Sequence, residues 1–191
     1  MEQVRTFIAV ELPAEVKDGL AALEGRLKRG HEASVKWVQP AGIHVTLKFL
    51  GNVNADVIPQ LRESVERATE GIGPFRLGID GLGVFPNPRQ TRVIWVGVEG
   101  EIDRLGILQR RIDEALKPLG FAPEGRAFVP HLTLGRVREE TGKEERDALG
   151  KLVVTVTNES TIEFVVAGIS IMRSQLRPQG ALHTRLEWIQ L

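Results

Sequence analysis

The chain has 191 residues, 42% hydrophobic and 26% charged, with 25 basic side chains balancing 25 acidic ones to a formal net charge of +0. That composition is globular rather than disordered and fills one substantial core or two small lobes; it excludes a general duplex binder, so any nucleic acid must be held by a local basic patch. The absence of cysteine excludes disulfides and thiolate chemistry, and no apolar run is long enough to span a bilayer; with no signal peptide at Met1-Glu2-Gln3, a cytoplasmic protein is expected.

Residues 5–12 are β-branched and aromatic and stop at Pro13, which predicts a strand. Val16, Leu20, Leu23 and Leu27 form one helical stripe, ended by Lys28-Arg29-Gly30-His31. Trp37 and a Pro40-Ala41-Gly42 turn lead into a strand over 43–50. A second helix carries Ile58, Leu61, Val65 and Ala68. Residues 75–85 read as extended, closed by Pro86-Asn87-Pro88, and 92–98 as a further strand. A third helix is marked by Ile102, Leu105, Leu108, Ile112, Leu116 and Leu119. Another strand is expected over 128–137, then a short charged helix near 144–152. Residues 162–172 and 185–189 supply the last strands.

This order repeats. His44-Val45-Thr46-Leu47 returns as His131-Leu132-Thr133-Leu134, an offset of 87 (131 minus 44) that also carries Arg5 to Arg92 and Gly81 to Gly168. Two copies are too few for a solenoid. The pattern predicts an α+β, duplicated bilobal fold: two antiparallel-rich sheets related by a pseudo-twofold, helices on the outside, and the two histidine strands facing each other across a central cleft. No composition shift marks a linker and the lobes could exchange strands, so residues 1–191 read as a single domain of two interleaved lobes.

Alternation along a strand puts His44 and Thr46 on one face and Val45, Leu47 and Phe49 on the other; His131 and Thr133 pair in the same way. Two imidazoles on opposite sides of a phosphorus can divide acid and base work near neutrality, while threonine hydroxyls donate to oxygens gaining charge. No lysine, aspartate or cysteine nucleophile is placed beside either histidine, which favours in-line attack by water. Threonine is a poor zinc ligand and neither copy has a carboxylate or histidine at ligand spacing, so no metal or other cofactor is expected. Arg126 and Arg136 flank the second motif as candidates for substrate phosphate. Strict alternation puts Arg136 opposite His131, so contact needs a bulge or a reach around the strand end. His31 and His183 are expected to be solvated. Phe7, Trp37, Phe49 and Trp95 could stack on a base, with core packing the commoner role.

The repeated His-x-Thr-Leu resembles the 2H phosphoesterases. Longer stretches narrow the resemblance to the RNA 2′,3′-cyclic phosphodiesterases, also called 2′-5′ RNA ligases: residues 5–13, Trp-Val-x-Pro-x-x-x-His-Val-Thr-Leu-Lys-Phe-Leu-Gly at 37–51, residues 85–98, Arg-x-Phe-x-Pro-His-Leu-Thr-Leu-Gly-Arg at 126–136, and Arg173-Ser174-x-Leu176. The resemblance implies a metal-independent enzyme that opens a 2′,3′-cyclic phosphate on an RNA 3′ end or a nucleotide to a 2′-phosphomonoester. His44 would be the proton donor to the departing 3′ oxygen and His131 the acceptor that activates water. Thr46 and Thr133 would hold phosphate oxygens. The expected acting unit is a monomer without membrane contact. Two alternatives stay open: reversible 2′-5′ ligation of tRNA halves, and an RNA-end-binding module without turnover. The latter would be served better by arginines, which stay charged, than by paired histidines. The family often has a tyrosine after the glycine near the C-terminus, where this chain has Gly180-Ala-Leu-His183.

Overall fold

The computed structural model describes residues 2–31, 33–125, 127–156, 162–177 and 180–191. In order these form β1 (Gln3–Glu11), α1 (Ala14–Lys28), β2 (Val35–Trp37), β3 (His44–Asn54), α2 (Ile58–Thr69), β4 (Phe75–Phe85), β5 (Val93–Gly100), α3 (Ile102–Leu116), β6 (His131–Val137), α4 (Lys143–Thr155), β7 (Ile162–Val166), β8 (Gly168–Arg177) and β9 (Gly180–Gln190). The strands make two sheets, ordered β3-β1-β8-β9 and β2-β6-β5-β4-β7, with antiparallel pairing throughout. The fold is α+β and bilobal. The helical stripes face the core: Leu20, Leu61, Leu105 and Ile112 are each no more than 1% exposed, the burial an amphipathic periodicity calls for.

Each sheet is built from both halves of the chain. The first joins β1 and β3 to β8 and β9; the second joins β5, β6 and β7 to β2 and β4. Written as β3-β1-β8-β9 and β6-β5-β4-β7, the sheets correspond strand for strand: the first half lends β4 to the second sheet, the second half lends β8 and β9 to the first, and β2 is an extra edge on β6.

Several boundaries differ from the sequence reading. The run over 162–172 changes sheet at Ala167: β7 is an edge of the second sheet and β8 is interior in the first. β2 has no counterpart among the expected strands. Phe128, Val129 and Pro130 lie outside β6, where Pro130 has no N–H to give a ladder. The C-terminal strand is longer than 185–189.

The most consequential difference is a pair of bulges. Along β1 and β3, Ala9 pairs with Thr46 and Ile8 with Lys48, so Leu47 has no partner. Along β5 and β6, Trp95 pairs with Thr133 and Ile94 with Gly135, leaving out Leu134. Leu47 and Leu134 are again 87 apart (134 minus 47). An inserted residue reverses the facing of those that follow it, in β3 as far as a second one at Leu50, which is skipped where Phe7 pairs with Phe49 and Thr6 with Gly51. Lys48 therefore points inward at 2% exposure, and Phe49, expected on the core face, is 61% exposed. In β6 the same reversal brings Arg136 to the side of His131 and Thr133. Lys48 is satisfied where it lies: its ammonium bonds Asp113 on α3 at 2.5 Å and the Ala122 carbonyl at 2.8 Å.

Candidate active site

Both histidines are the first residue of their strand, and both are fixed in the same way. His44 Nδ1 lies 2.8 Å from the Gly42 carbonyl and His131 Nδ1 lies 2.8 Å from the Val129 carbonyl, two residues earlier in each case. A carbonyl only accepts, so Nδ1 carries the proton in both rings and Nε2 is the nitrogen that can take or give one. Thr46 and Thr133 follow two residues later, partly exposed on the same faces.

All four side chains line one cleft of about 450 Å³ between the two sheets, together with Arg136. Two larger grooves, of about 970 and 770 Å³, lie over α2 and contain no histidine; chemistry, not size, identifies the site. The cleft is also lined by Arg5 and Lys36, and by no carboxylate among the described residues. A chain of zero net charge thus concentrates cations where an anion would bind, the local patch its composition required.

The two imidazoles have different surroundings. His44 stacks on Phe7, with centroids 4.6 Å apart and planes 26° from parallel, and meets the edge of His183 at 5.1 Å and 89°. Burial pushes its pKa down from 6.5 to about 4; the Gly42 carbonyl works against this, and the neighbouring His183 adds to it. Glu11, the cross-strand partner of His44, also favours the charged ring. Burial raises the Glu11 pKa, but hydrogen bonds from Arg185 and Ser170 outweigh it and leave the carboxyl below its ordinary range. His131 instead meets Phe85 edge-on at 5.2 Å and 84°, with Trp95 at 6.4 Å.

His183 is not solvated. It lies half-buried on β9, lines the cleft, touches His44 and Phe7, and has its pKa lowered by burial. His31 is not free either: its Nδ1 lies 2.8 Å from Glu145 on α4. Arg126 falls outside the described residues. The sequence reading passed over Lys36 and took His183 for a solvated side chain, and both places depend on pairing with distant strands; the one local signal was that Lys36 precedes Trp37 in the stretch leading to the first motif. No group of three or more potential metal ligands occurs among the described residues.

Comparison with known proteins bears on this arrangement. A family model described as LigT like Phosphoesterase matches residues 10–95 and again 96–183, the two halves of the duplication. A Methanothermobacter thermautotrophicus protein named RNA 2′,3′-cyclic phosphodiesterase is 39% identical over 99% of this chain and 100% of its own length. One of the same name from Archaeoglobus fulgidus is 32% identical over 96% of this chain and 98% of its own. A crystal structure of a Thermus thermophilus protein superposes with a TM-score of 0.81 at 28% identity, covering 98% of this chain and 97% of that one.

Proposed function

The chain belongs to the LigT-like phosphoesterase family, and on that premise we propose that it hydrolyses the 2′,3′-cyclic phosphate of RNA 3′ ends or nucleotides to a 2′-phosphomonoester. The observation that carries this reading is the matched pair of imidazoles, each with Nδ1 bonded to the carbonyl two residues back and each with a threonine two residues on, in one cation-lined cleft. His131 Nε2 takes a proton from water as the water oxygen attacks phosphorus. The bond from phosphorus to the 3′ oxygen breaks, and His44 Nε2 delivers a proton to that oxygen. The Thr46 and Thr133 hydroxyls donate to the non-bridging oxygens as charge gathers there. Arg136 and Arg126 hold substrate phosphate. A single chain supplies both imidazoles, which supports a monomer as the acting unit; the compartment we assign is the cytoplasm.

A donor must be charged, and a pKa of about 4 leaves His44 neutral at pH 7. Charging it there costs about 4 kcal/mol. A phosphate anion about 4 Å away supplies roughly that much at an effective dielectric constant near 20, so substrate binding lets His44 take up a proton from the solvent. The same depressed pKa favours a second reading, in which His44 is the base and His131 the acid. A substrate whose leaving group needs no proton, such as a nitrophenolate ester, separates the two. His44→Ala regains turnover on that ester if His44 is the donor, and His131→Ala regains it if the roles are reversed.

The reading is tested by incubating the protein with each 2′,3′-cyclic nucleotide in EDTA. A 2′-phosphomonoester is expected, at the same rate with and without chelator. A 3′-monoester would show that the other bond breaks, and loss of turnover restored by one added metal would end the metal-free mechanism.

A further inference from the structure

His183 is the third imidazole lining the cleft, has no part in the two proton transfers, and is built into the surroundings of His44. Its ring lies beside the stack of Phe7 and His44, 5.0 Å from the first centroid and 5.1 Å from the second, tilted steeply to both at 78° and 89°. It also rests against Gly42, where a Cβ would come 3.5 Å from His183 Cδ2; Gly42 is the residue whose carbonyl fixes His44. His131 has no imidazole beside it among the described residues, and its ring contacts are Phe85 and Trp95.

The two nitrogens of His183 stand in different settings. Nδ1 is buried and has no hydrogen-bond partner among the described residues, whereas Nε2 is not buried and belongs to a ring that lines the cleft. A buried N–H without an acceptor is rarer in proteins than a buried acceptor without a donor. A charged ring would place such an N–H at Nδ1, and burial lowers the pKa of this ring. The neutral tautomer with its proton on Nε2 meets both conditions. His183 is thus the inverse of His44 and His131: those two carry the proton on Nδ1 and keep Nε2 free, while His183 offers an N–H to the cleft.

The reaction has a use for that N–H. His44 is a scarce acid at neutral pH, and the 3′ oxygen it protonates gathers negative charge as its bond to phosphorus breaks. A neutral donor on that oxygen lowers the barrier without a proton changing hands. Two N–H donors about 2.9 Å from one oxygen, approaching from well-separated directions, stand about 5 Å apart, which is the scale of the spacing between the two rings. We propose that His183 is a third catalytic imidazole, donating its Nε2–H to the departing 3′ oxygen beside His44 and keeping its proton throughout. The proposal deepens the phosphodiesterase reading and rests on it, with His44 as the acid.

The test sets two variants against each other on adenosine 2′,3′-cyclic phosphate. His183→Phe keeps a ring against Phe7 and His44 and removes the donor; His183→Gln removes the ring and keeps an N–H near the place of Nε2. His183→Phe should lose about tenfold or more in kcat, with KM and the kcat of His183→Gln each within about threefold of wild type. On a 4-nitrophenyl phosphodiester, whose leaving oxygen carries its charge unaided, the loss in His183→Phe should shrink to about twofold or less. If circular dichroism shows His183→Phe unfolded, His183→Leu takes its place, and the comparison of the two esters within one folded variant carries the test. Wild-type kcat in the variant without a donor overturns the proposal. So does a larger loss in His183→Gln than in His183→Phe, since packing of the ring would then be what matters. An equal loss on both esters overturns it as well, by taking the donor off the leaving oxygen. Each of these results leaves the phosphodiesterase reading standing, whereas a wild-type protein that opens no cyclic nucleotide overturns that reading and this one together.

Discussion

As the pH falls, protons bind His44 in the unfolded chain first, at its ordinary pKa of 6.5, and in the folded protein only near 4. The folded state is therefore not penalised above pH 6.5 and loses stability as the pH drops from there toward 4, by about 3 kcal/mol in all. His183, lowered by the same burial, works in the same direction. Urea midpoints at pH 7 and pH 4.5 should differ less in His44→Gln than in the wild type; equal differences would mean that burial of this ring is not what couples folding to pH. The threonines bear on turnover instead. Thr46→Val and Thr133→Val each remove a donor while nearly keeping shape, and each should lower kcat/KM by about 2–4 kcal/mol of transition-state stabilisation. Circular dichroism should show both variants folded, and wild-type kcat/KM in both would make the hydroxyls structural only.

The bulges in β3 and β6 decide which side chains meet the substrate, and they mark the limit of what the sequence could tell. The His-x-Thr pairs are legible because two-residue alternation holds as far as Leu47 and Leu134. Beyond those positions it reverses, and nothing in a period-two pattern announces an extra residue. Strict alternation makes Lys48 a surface charge and Phe49 a core ring, when the reverse holds. Gly135 is a local hint: a Cβ there would come within 2.6 Å of the Val35 side chain and 3.1 Å of the Trp37 ring, so the residue leaves room for β2. β2 itself and His183 depend on partners more than 90 residues away, beyond the reach of any local pattern. The inward turn of Lys48 yields an element-scale expectation. Asp113→Ala strands a buried ammonium and should cost about 3–5 kcal/mol, whereas Lys48→Met with Asp113→Leu, which removes both charges, should cost much less. Denaturant unfolding of the two variants gives the comparison, and equal losses would show that the pair does not behave as a buried one.

At the scale of the whole molecule, neither sheet is complete within one half of the chain. Cutting between residues 91 and 92, in the connection from β4 to β5, would take β8 and β9 from the first sheet, and β4 from between β5 and β7 in the second. We propose on this ground that residues 1–191 act as a single domain. Either half expressed alone should lack a cooperative thermal transition and all turnover; a half that unfolds cooperatively by itself would refute the proposal. The exchange of β4 and β8 between the sheets also has a historical meaning. Two identical half-length chains that traded the corresponding strand would have made a swapped homodimer, with the same histidine and the same neighbours on both sides of its axis. Such a dimer cannot prefer one imidazole as acid and the other as base, because every change in one copy appears in both. Joining the copies into one gene lifts that restriction: Phe49 and Arg136, 87 residues apart (136 minus 49), could part company, and a palindromic pocket could become one that reads its substrate in a single direction.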